Sequence, residues 1–367
     1  MKDHFYYMRH ALEEAKKGTG RTSPNPAVGA IIVRNGQIVG RGYHKKAGTP
    51  HAEIHAIQDA GELSKDATLY VTLEPCNHTG RTPPCTEAIL RAGITHVVIG
   101  MADLNPCVTG GGAAYLQSQG VDVCSGILEQ QCKELNYPFI KHSTTRLPWI
   151  IMKAGLSLDG KITFLPKQGA ALTGSESNRY VHQVRNQVDA ILIGVETACI
   201  DNPSLTTRLE GNETSRDPLR IVLDSRLRLP TDARVINRDS SAETWVFCGM
   251  QASQEKEEQL VLRGVKVWRM PLSSANRLDL FELLRFLGKK NITSVLVEGG
   301  SRVHGSFYHH QLVDELLLFY APFIVGDQGT PLVQGYSLDC RPESPIFNTT
   351  SIQLLGNDFL FRGIIRK

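Results

Sequence analysis

The chain has 367 residues, more than a single hydrophobic core usually supports, so we expect two domains. Hydrophobic residues make up 41% of the chain and charged residues 21%, which excludes disordered and fibrous proteins. The formal net charge is only +3, and the basic residues are spread along the chain, so a dedicated nucleic-acid binder is disfavoured and any anionic partner should be small.

The N-terminal segment predicts an amphipathic helix with Tyr6, Met8, Leu12 and Ala15 on its apolar face, and it lacks the apolar core of a secretion signal. The most apolar later segment, residues 312–325, contains two carboxylates and a proline, so we expect no membrane span. Eight cysteines are too sparse for a disulfide scaffold. We therefore expect a cytoplasmic protein, and we expect it to form a homo-oligomer.

The first half of the chain predicts an alternating α/β pattern that opens with a hairpin. Two strand-like runs in residues 28–43 meet at Asn35-Gly36, a pair that favours a type I′ turn. Predicted helices follow at residues 52–60, 86–92 and 113–119, and predicted strands at residues 68–73, 96–100 and 121–124. This alternation indicates a layered α/β/α sandwich.

We place the domain boundary near residue 145, because residues 141–148 are polar and end in a proline before a new apolar run begins. The domains would thus be 1–145 and 146–367. The second half predicts a first strand in the apolar run 149–160, further strands at 189–194, 219–224, 244–248, 293–297 and 314–320, and helices at 279–287 and 301–309. It is a second α/β domain, and no internal repeat relates it to the first.

A zinc site is indicated by His51, Cys76 and Cys85. His51 begins a predicted helix, Cys76 follows a predicted strand, and Cys85 comes nine residues later. Catalytic zinc takes three protein ligands and leaves a fourth position for water. Glu53 lies two residues after His51 and is suited to move protons between that water and a leaving amine. This is the arrangement of zinc-dependent nucleobase deaminases, although their cysteines are usually three residues apart.

Two other interpretations of these residues stay open at this point. The three residues could be buried thiols and a surface histidine without metal, or they could form a closed structural site with His44, His55 or His78 as a fourth ligand. A closed site would leave Glu53 without a function. Upstream, Asn25 lies between two prolines, where its amide is rigidly held and could both donate to and accept from a pyrimidine edge, unless the segment is simply a turn.

The segments PNPAVG, HAEIHAI, TLEPCNHTGRTPPC, DLNPCVTGGG and KAGLSLDGK together resemble the bifunctional riboflavin-biosynthesis deaminase/reductases over nearly the whole chain. The long cysteine spacing is the form that this family uses. The resemblance implies a cytidine-deaminase-like first domain and a dihydrofolate-reductase-like second domain. It also implies that one Zn²⁺ and NADPH act as cofactors. The implied substrate is 2,5-diamino-6-ribosylamino-4(3H)-pyrimidinone 5′-phosphate, which would be deaminated and then reduced at its ribose.

A phosphorylated pyrimidine substrate requires donor groups near the zinc. His44, His78 and Arg81 lie in loops that could supply them. Asp103 and Asn105 follow a predicted strand, where the loops of α/β folds usually contact ligands. The alternative for each of these five residues is an ordinary polar loop position.

In the second half, the residues alone support only a glycine-rich turn after Glu298, between a strand and a helix. No GxGxxG motif follows an early strand, so a Rossmann dinucleotide site is disfavoured. The resemblance, carried by the segments LSLDGK, RIVLDS and LVEGGSRVHGSF among others, adds specific contacts. It implies that the substrate contacts Lys153, Gly169, Arg185, Leu205, Arg208 and Glu298.

The resemblance further implies an NADPH site that spans most of the second domain. The implied contacts are Gly155, Ala171, Thr197, Asp201, Ser225 and the turn formed by Gly299, Gly300, Ser301, Arg302, Val303, His304 and Gly305. An aromatic residue would be expected where Ala171 stands. Asp159 lies near the implied site by position, and Arg226 is the residue that we expect to favour NADPH over NADH.

Two functions from other classes are weighed against this interpretation. A nucleic-acid deaminase with a C-terminal recruitment domain predicts interleaved aromatic and basic residues, which the sequence does not show. A non-enzymatic, zinc-stabilised binding module would not require Glu53. Loss of activity in one of the two domains is a further possibility.

Overall fold

The structure is a computed structural model that describes residues 3–78, 83–105, 111–169, 171–211, 215–236, 240–273, 276–340 and 347–366. The chain divides into two compact units, Met1–Leu147 and Pro148–Lys367. None of the described helices is long and apolar enough to cross a membrane.

The first unit alternates helices and strands in chain order. Its elements are α1 (His4–Lys16), β1 (Gly29–Arg34), β2 (Gln37–Tyr43), α2 (Ala52–Ala60), β3 (Thr68–Leu73), α3 (Cys85–Arg91), β4 (His96–Met101), α4 (Gly112–Ser118), β5 (Asp122–Ser125), α5 (Glu129–Leu135) and α6 (Tyr137–Thr145), with a 3₁₀ turn at Gly61–Ser64. The strands form one sheet in the order β2-β1-β3-β4-β5, in which β1 is antiparallel to both neighbours and β3, β4 and β5 are parallel.

Helices cover both faces of this sheet. Helices α1 and α5 pack against each other and against β1, β3 and β4, whereas α2 packs against β1, β2 and α3, and α3 contacts α4. The α/β/α sandwich and the alternating order of elements are confirmed. The predicted hairpin is also confirmed, because Arg34 pairs with Gln37 and the two turn residues have φ values of 52° and 76°, the left-handed region that a type I′ turn requires.

The first helix forms as its amphipathic pattern predicts. The side chain of Asp3 accepts a hydrogen bond from the backbone N–H of Tyr6 (2.8 Å) and caps the helix. Met8, Leu12 and Ala15 are buried, and Tyr6 is only half-buried. The helix lies so close to β1 that a Cβ atom on Gly29 would be 2.1 Å from the carbonyl oxygen of Ala11.

The second unit contains β6 (Trp149–Ser157), α7 (Ser175–Gln187), β7 (Ala190–Gly194), α8 (Val195–Asp201), β8 (Leu219–Leu223), β9 (Thr244–Gly249), α9 (Gln254–Leu262), β10 (Lys266–Met270), α10 (Leu280–Lys289), β11 (Ser294–Val297), α11 (Ser301–His309), β12 (Glu315–Ala321), β13 (Phe347–Leu355) and β14 (Asp358–Ile365), with a 3₁₀ turn at Arg234–Ile236. Its strands form one sheet in the order β10-β9-β8-β7-β11-β6-β12-β14-β13. The strands from β10 to β12 in that order are parallel, and β14 and β13 add an antiparallel edge.

This strand order places a switch point beside β11. The chain passes from β6 to β7 and continues outward through β8, β9 and β10, and then returns to insert β11 between β7 and β6. In open parallel sheets, ligands bind outside the carboxyl ends of the strands at such a point. We therefore expect the reductase site at the loops after β6, β7, β8 and β11.

Several elements differ from their prediction. The polar stretch that predicted a linker is largely helical, because α6 extends to Thr145 and buries His142 and Ser143, so the two units are separated at residues 147 and 148. The sequence analysis did not identify α5, α7, α8, α9, β10 or the β13–β14 hairpin. β13 is mostly exposed and α7 is polar, so neither shows a strong apolar period.

Candidate active sites

The predicted zinc ligands converge in the first unit. His51 is the N-cap residue of α2, Cys76 follows β3 by three residues, and Cys85 is the first residue of α3. Their ligand atoms all lie within 4.8 Å of one another. The Nδ1 atom of His51 is 3.2 Å from the Sγ atom of Cys85 and 3.6 Å from that of Cys76. One imidazole and two sulfurs fit a tetrahedral metal that keeps an open position.

Close packing of glycines fixes the helix that carries His51 and Glu53. A Cβ atom on Gly42 would be 2.3 Å from the carbonyl oxygen of Ala52, and one on Gly40 would be 2.4 Å from that of Ala56. Only glycine permits this distance between α2 and β2. The beginning of α2 is therefore held directly on the sheet, beside the two cysteines.

The pKa values of the two thiols are shifted in opposite directions. A hydrogen bond with Cys85 lowers the pKa of the Cys76 thiol to about 4, against the opposing effect of burial, and the backbone N–H of Cys85 also donates to that sulfur (3.4 Å). The pKa of Cys85 is raised, because its thiol bonds to the Cys76 thiolate and is buried. A divalent cation would favour the thiolate form of both sulfurs.

Glu53 is buried directly behind these ligands. Its side chain is in the first turn of α2, and the residue is 3% exposed. Burial raises the pKa of the Glu53 carboxyl, and the charge of His51 and a hydrogen bond with Cys85 oppose this rise. A carboxyl group whose pKa is shifted toward neutrality can both accept and return a proton near pH 7.

Asn25 and His44 lie next to the cluster and contact each other. The Nδ1 atom of His44 is 3.3 Å from the carbonyl oxygen of Pro50 and donates to it, so its Nε2 atom accepts from the Asn25 amide (3.3 Å). The His44 ring lies edge-on to that of His51, with centroids 5.4 Å apart. Burial lowers the pKa of His44. Its predicted contact with the substrate phosphate stays a prediction.

A residue that the sequence analysis overlooked, Glu74, orders the loop that contains Asp103. One carboxylate oxygen of Glu74 accepts from the backbone N–H of Ala113 (3.0 Å) and the other from that of Asp103 (3.3 Å). Asp103 in turn accepts from the backbone N–H of Asn105 (2.9 Å). Glu74 lies in the segment TLEPCNHTGRTPPC, and this position near a predicted zinc ligand was the signal in the sequence that could have identified it. Burial raises the pKa of Asp103.

The remaining residues of this unit that could contact the substrate phosphate are His78 and Arg81. His78 is exposed, and its charge lowers the pKa of Asp103. Arg81 lies outside the described residues.

In the second unit, the structure joins three of the six predicted substrate residues, Lys153, Arg185 and Glu298, in one charge cluster. Arg185, in the last turn of α7, donates from Nε and Nη2 to the two carboxylate oxygens of Glu298 (2.9 and 2.8 Å) and from Nη1 to the carbonyl oxygen of Thr206 (3.1 Å). The two side chains are 13% and 9% exposed. Met152 pairs with Val297, so Lys153 is level with Glu298 on the next strand.

The charges in this cluster compensate one another. Burial raises the pKa of Glu298, but Arg185 and Lys153 outweigh it and bring the value down to about 2. Burial lowers the pKa of Lys153, and Glu298 opposes this effect. The Lys153 ammonium also lies 5.8 Å from the centroid of the Phe319 ring. One carboxylate is therefore held ionised between two cations.

His182 is a second residue that the sequence analysis overlooked. It precedes Arg185 by about one helical turn and is 4% exposed. Its Nδ1 atom accepts from the backbone N–H of Arg208 (3.1 Å), so it fixes the backbone at a predicted phosphate contact. Burial lowers the pKa of His182 to about 4, and the charges of Arg185 and Arg208 add to this. The Arg208 side chain is exposed, and Leu205 is buried with a φ of 52°.

The predicted cofactor residues lie at the carboxyl ends of β7, β8 and β11. The Oγ1 atom of Thr197 accepts from the backbone N–H of Gly300 (2.9 Å), and a Cβ atom on Gly299 would be 3.1 Å from the backbone nitrogen of Gly194. Ser225 follows β8, and its carbonyl oxygen accepts from the backbone N–H of Gly249 (3.0 Å). The loops after β7 and β11 are thus in direct contact.

The segment from Gly299 to Gly305 includes the start of the helix predicted at 301–309, and that helix is confirmed. Gly300 is the N-cap of α11, so Ser301, Arg302, Val303, His304 and Gly305 form the start of that helix. His304 is 2% exposed, and burial lowers its pKa to about 4. A Cβ atom on Gly305 would be 1.9 Å from the carbonyl oxygen of Gln334. The inner face of α11 thus packs against protein, and its exposed face carries Arg302.

Other predicted contacts are spread around the same edge. Gly169 lies against Asp201, because a Cβ atom on it would be 2.1 Å from the Asp201 carboxylate, and a Cβ atom on Gly155 would be 3.3 Å from the side chain of Thr173. Ala171 is exposed. The Asp159 carboxylate, which the sequence placed near the implied site by position, accepts from Ser157 and from the backbone N–H groups of Val325 and Gly326 and so ties two loops together.

Comparison with known proteins supports both halves. Residues 148–361 match the family model of the RibD C-terminal domain, and residues 1–101 match that of the cytidine and deoxycytidylate deaminase zinc-binding region. The riboflavin biosynthesis protein RibD of Bacillus amyloliquefaciens is 40% identical over 360 residues, which cover 98% of this chain and 95% of that protein. RibD of Escherichia coli K12 is 39% identical over 363 residues, with 96% and 97% covered.

Solved structures give the same result. Acinetobacter baumannii RibD aligns with a TM-score of 0.86 and 34% identity over 99% of both chains. A Thermotoga maritima protein, named as a diaminohydroxyphosphoribosylaminopyrimidine deaminase/5-amino-6-(5-phosphoribosylamino)uracil reductase, aligns with a TM-score of 0.85 and 36% identity over 99% of this chain and 98% of that one.

Proposed function

This chain belongs to the family of bifunctional riboflavin-biosynthesis deaminase/reductases, and we propose that its two domains act in turn on one phosphorylated pyrimidine. It is both a zinc-dependent deaminase and an NADPH-dependent reductase. We assign deamination of 2,5-diamino-6-ribosylamino-4(3H)-pyrimidinone 5′-phosphate to residues 1–145. We assign reduction of the resulting 5-amino-6-(5-phosphoribosylamino)uracil to its ribityl form to residues 146–367. The convergence of His51, Cys76 and Cys85 beside the buried Glu53 is the observation that carries the deaminase assignment.

In the deaminase, His51, Cys76 and Cys85 would hold the zinc ion through Nδ1 and two sulfurs. Zinc, when bound, makes water a nucleophile at neutral pH. Glu53 would take one proton from the attacking water and return it to the amine as the carbon–nitrogen bond breaks and ammonia leaves. Asn25, whose amide nitrogen faces His44, would present its amide to the pyrimidine. His78, Arg81, Asp103 and Asn105 stay candidate contacts to the substrate.

In the reductase, NADPH supplies the hydride that reduces C1 of the opened ribosylamine. Three of the five N–H groups of Arg185 are used by Glu298 and Thr206, which leaves two for a phosphate oxygen. Arg208 offers an exposed guanidinium on a backbone that His182 fixes. Lys153, in the middle of β6, and Glu298, directly after β11, supply a cation and an anion where the ribose would lie.

The other classes of function fit less well. A nucleic-acid deaminase with a recruitment domain does not account for the match of residues 148–361 to the RibD C-terminal domain. A zinc-stabilised binding module gives no reason for a buried carboxyl with a raised pKa next to three ligands.

The direct test is to incubate zinc-loaded protein with the diaminopyrimidinone ribosyl phosphate and to follow ammonia release and then NADPH absorbance. Wild-type protein should give both signals. Glu53→Gln should lower the rate of ammonia release by about 10²–10⁴-fold, the usual contribution of a general acid/base, and should retain zinc. The same variant should still reduce the deaminated intermediate when it is supplied separately. Ammonia release from a nucleoside or RNA, but not from this substrate, would contradict the pathway assignment.

We also propose that the enzyme is cytoplasmic and forms a homo-oligomer. Free thiols support the first proposal, since the cysteines among the described residues form no disulfide and the zinc site requires thiolates. Cell fractionation followed by activity measurement tests it. Light scattering on the purified protein tests the second, and a mass equal to one chain would contradict it.

A further inference from the structure

The order of strands gives the direction in which NADPH would lie, and this inference rests on the proposed reductase function. The sheet runs β8-β7-β11-β6, with Lys153 on β6 and Glu298 directly after β11. The nicotinamide must meet the substrate at these two residues. The resemblance implies cofactor contacts at Thr197 and Ser225, which follow β7 and β8, so the adenosine half of the cofactor would lie over the ends of these two strands.

Two arginines, one from helix α11 and one from the loop after β8, converge at this far end. The Nη1 atom of Arg302, in the first turn of α11, is 3.6 Å from the Oε1 atom of Glu196. The Nη2 atom of Arg228, in the loop after β8, is 3.9 Å from the same oxygen. The three side chains are 70%, 54% and 56% exposed, so a ligand can reach all of them. They leave a net charge of +1 at the site.

The backbones that carry these arginines are well fixed. Buried Asp224 accepts from the backbone N–H of Leu229 at its Oδ2 atom (2.8 Å), and its carbonyl oxygen accepts from Leu227 (3.1 Å), which has a φ of 52°. These bonds flank Arg228. The bond between Gly300 and Thr197 holds the start of α11 against α8, which carries Glu196. Both guanidiniums therefore project from ordered positions.

We propose that Arg228 and Arg302 together bind the 2′-phosphate of NADPH and set the preference for NADPH over NADH. Glu196 holds both guanidiniums in place before the cofactor binds. A phosphate carries more negative charge and more acceptor oxygens than the Glu196 carboxylate, so it can replace that carboxylate between the two planar forks. Exposed ion pairs contribute little to stability, so this exchange costs little. The sequence suggested Arg226 as the residue that favours NADPH over NADH, whereas the geometry points to Arg228 and Arg302.

The test measures dissociation constants of NADPH and NADH by calorimetry on the full-length protein. Arg228→Ala and Arg302→Ala should each weaken NADPH binding by about tenfold, as expected for a charge-assisted hydrogen bond, and should change NADH binding by less than about twofold. Lysine at either position should recover part of the loss. Glu196→Gln should tighten NADPH binding. Arg285→Ala is the matched control, since Arg285 is an exposed arginine paired with Glu282 on α10.

Each outcome has a distinct meaning. Equal loss of NADPH and NADH affinity in the arginine variants, or unchanged preference in the double variant, would overturn the 2′-phosphate site and leave the reductase function standing. Weaker NADPH binding by Glu196→Gln would overturn the exchange with the carboxylate. If wild-type protein bound neither nucleotide, the reductase function itself would fall together with this proposal. Thermal unfolding of each variant, compared with wild type, separates these results from misfolding.

Discussion

The two catalytic regions balance charge in different ways. In the first domain, His51, Cys76 and Cys85 bring three possible metal ligands within 4.8 Å of one another, so we expect a bound metal cation to compensate the charge of the sulfurs. In the second domain, Glu298 is held between Arg185 and Lys153, so its charge is neutralised by the chain itself. The first site should therefore depend on its metal, and the second on the integrity of its ion pair.

The largest expected effect is that of zinc removal on the first domain alone. Chelation, or His51→Ala, should abolish ammonia release, because the water loses the metal that makes it nucleophilic. Reduction of separately supplied deaminated intermediate should change by less than about twofold, since the second cluster needs no metal. Zinc content measured with both rates checks this. Parallel loss of both activities would contradict the independence of the two sites.

Breaking the ion pair should affect mainly the stability of the second domain. Arg185→Ala leaves Glu298 buried without its bidentate partner, which should lower the free energy of unfolding by about 3–5 kcal/mol. All three tryptophans, Trp149, Trp245 and Trp268, belong to residues 148–367, so urea unfolding followed by tryptophan fluorescence reports this domain.

The matched control for this variant is Arg285→Ala. This substitution breaks an exposed ion pair whose side chains are 63% and 49% accessible. It should lower the free energy of unfolding by about 0–1 kcal/mol. Replacement of both Arg185 and Glu298 by apolar residues should be less destabilising than Arg185→Ala alone. If Arg185→Ala and Arg285→Ala lowered the free energy of unfolding equally, the stabilising role of the buried ion pair would be contradicted.

The smallest expected effect is a dependence of stability on pH that arises from His182. Its pKa is about 4 in the folded chain and 6.5 ordinarily, so between these values the unfolded chain binds the additional proton. Stability should therefore fall as the pH is lowered from 6.5 to 4, by at most about 1.4 kcal/mol per pH unit from this group. His182→Asn retains an acceptor for Arg208 and should reduce that slope. Urea unfolding at several pH values checks it, and an unchanged slope would contradict it.

The first domain was more predictable than the second for a physical reason. The bounds of α2 and β3 were predicted at the observed residues, and α3 and α4 begin within one residue of theirs. These elements have a clear apolar period and are bounded by proline or glycine. By contrast, α7 buries only Ser177, Val181 and His182, so its sequence lacks the apolar stripe on which the prediction depends.

The site residues likewise differ in how well the sequence predicts them. His51, Glu53, Cys76 and Cys85 lie in two short motifs, where residue type and spacing already indicate zinc chemistry. His182 and Glu74 act through single hydrogen bonds to backbone groups of distant loops, a contact that leaves no pattern in the sequence. The ion pairs of Glu196 with Arg228 and Arg302 join α8, the loop after β8 and α11, and they were equally invisible in the sequence.

The sequence by itself determined the class of each domain and the candidate metal ligands, because local periodicity and short motifs encode them. Only the tertiary structure decided which charged residues meet. The return of β11 between β7 and β6 brings Glu298 beside Lys153 and places α11 against α8. Such contacts depend on strand order across more than a hundred residues, and no local pattern along the chain specifies that order.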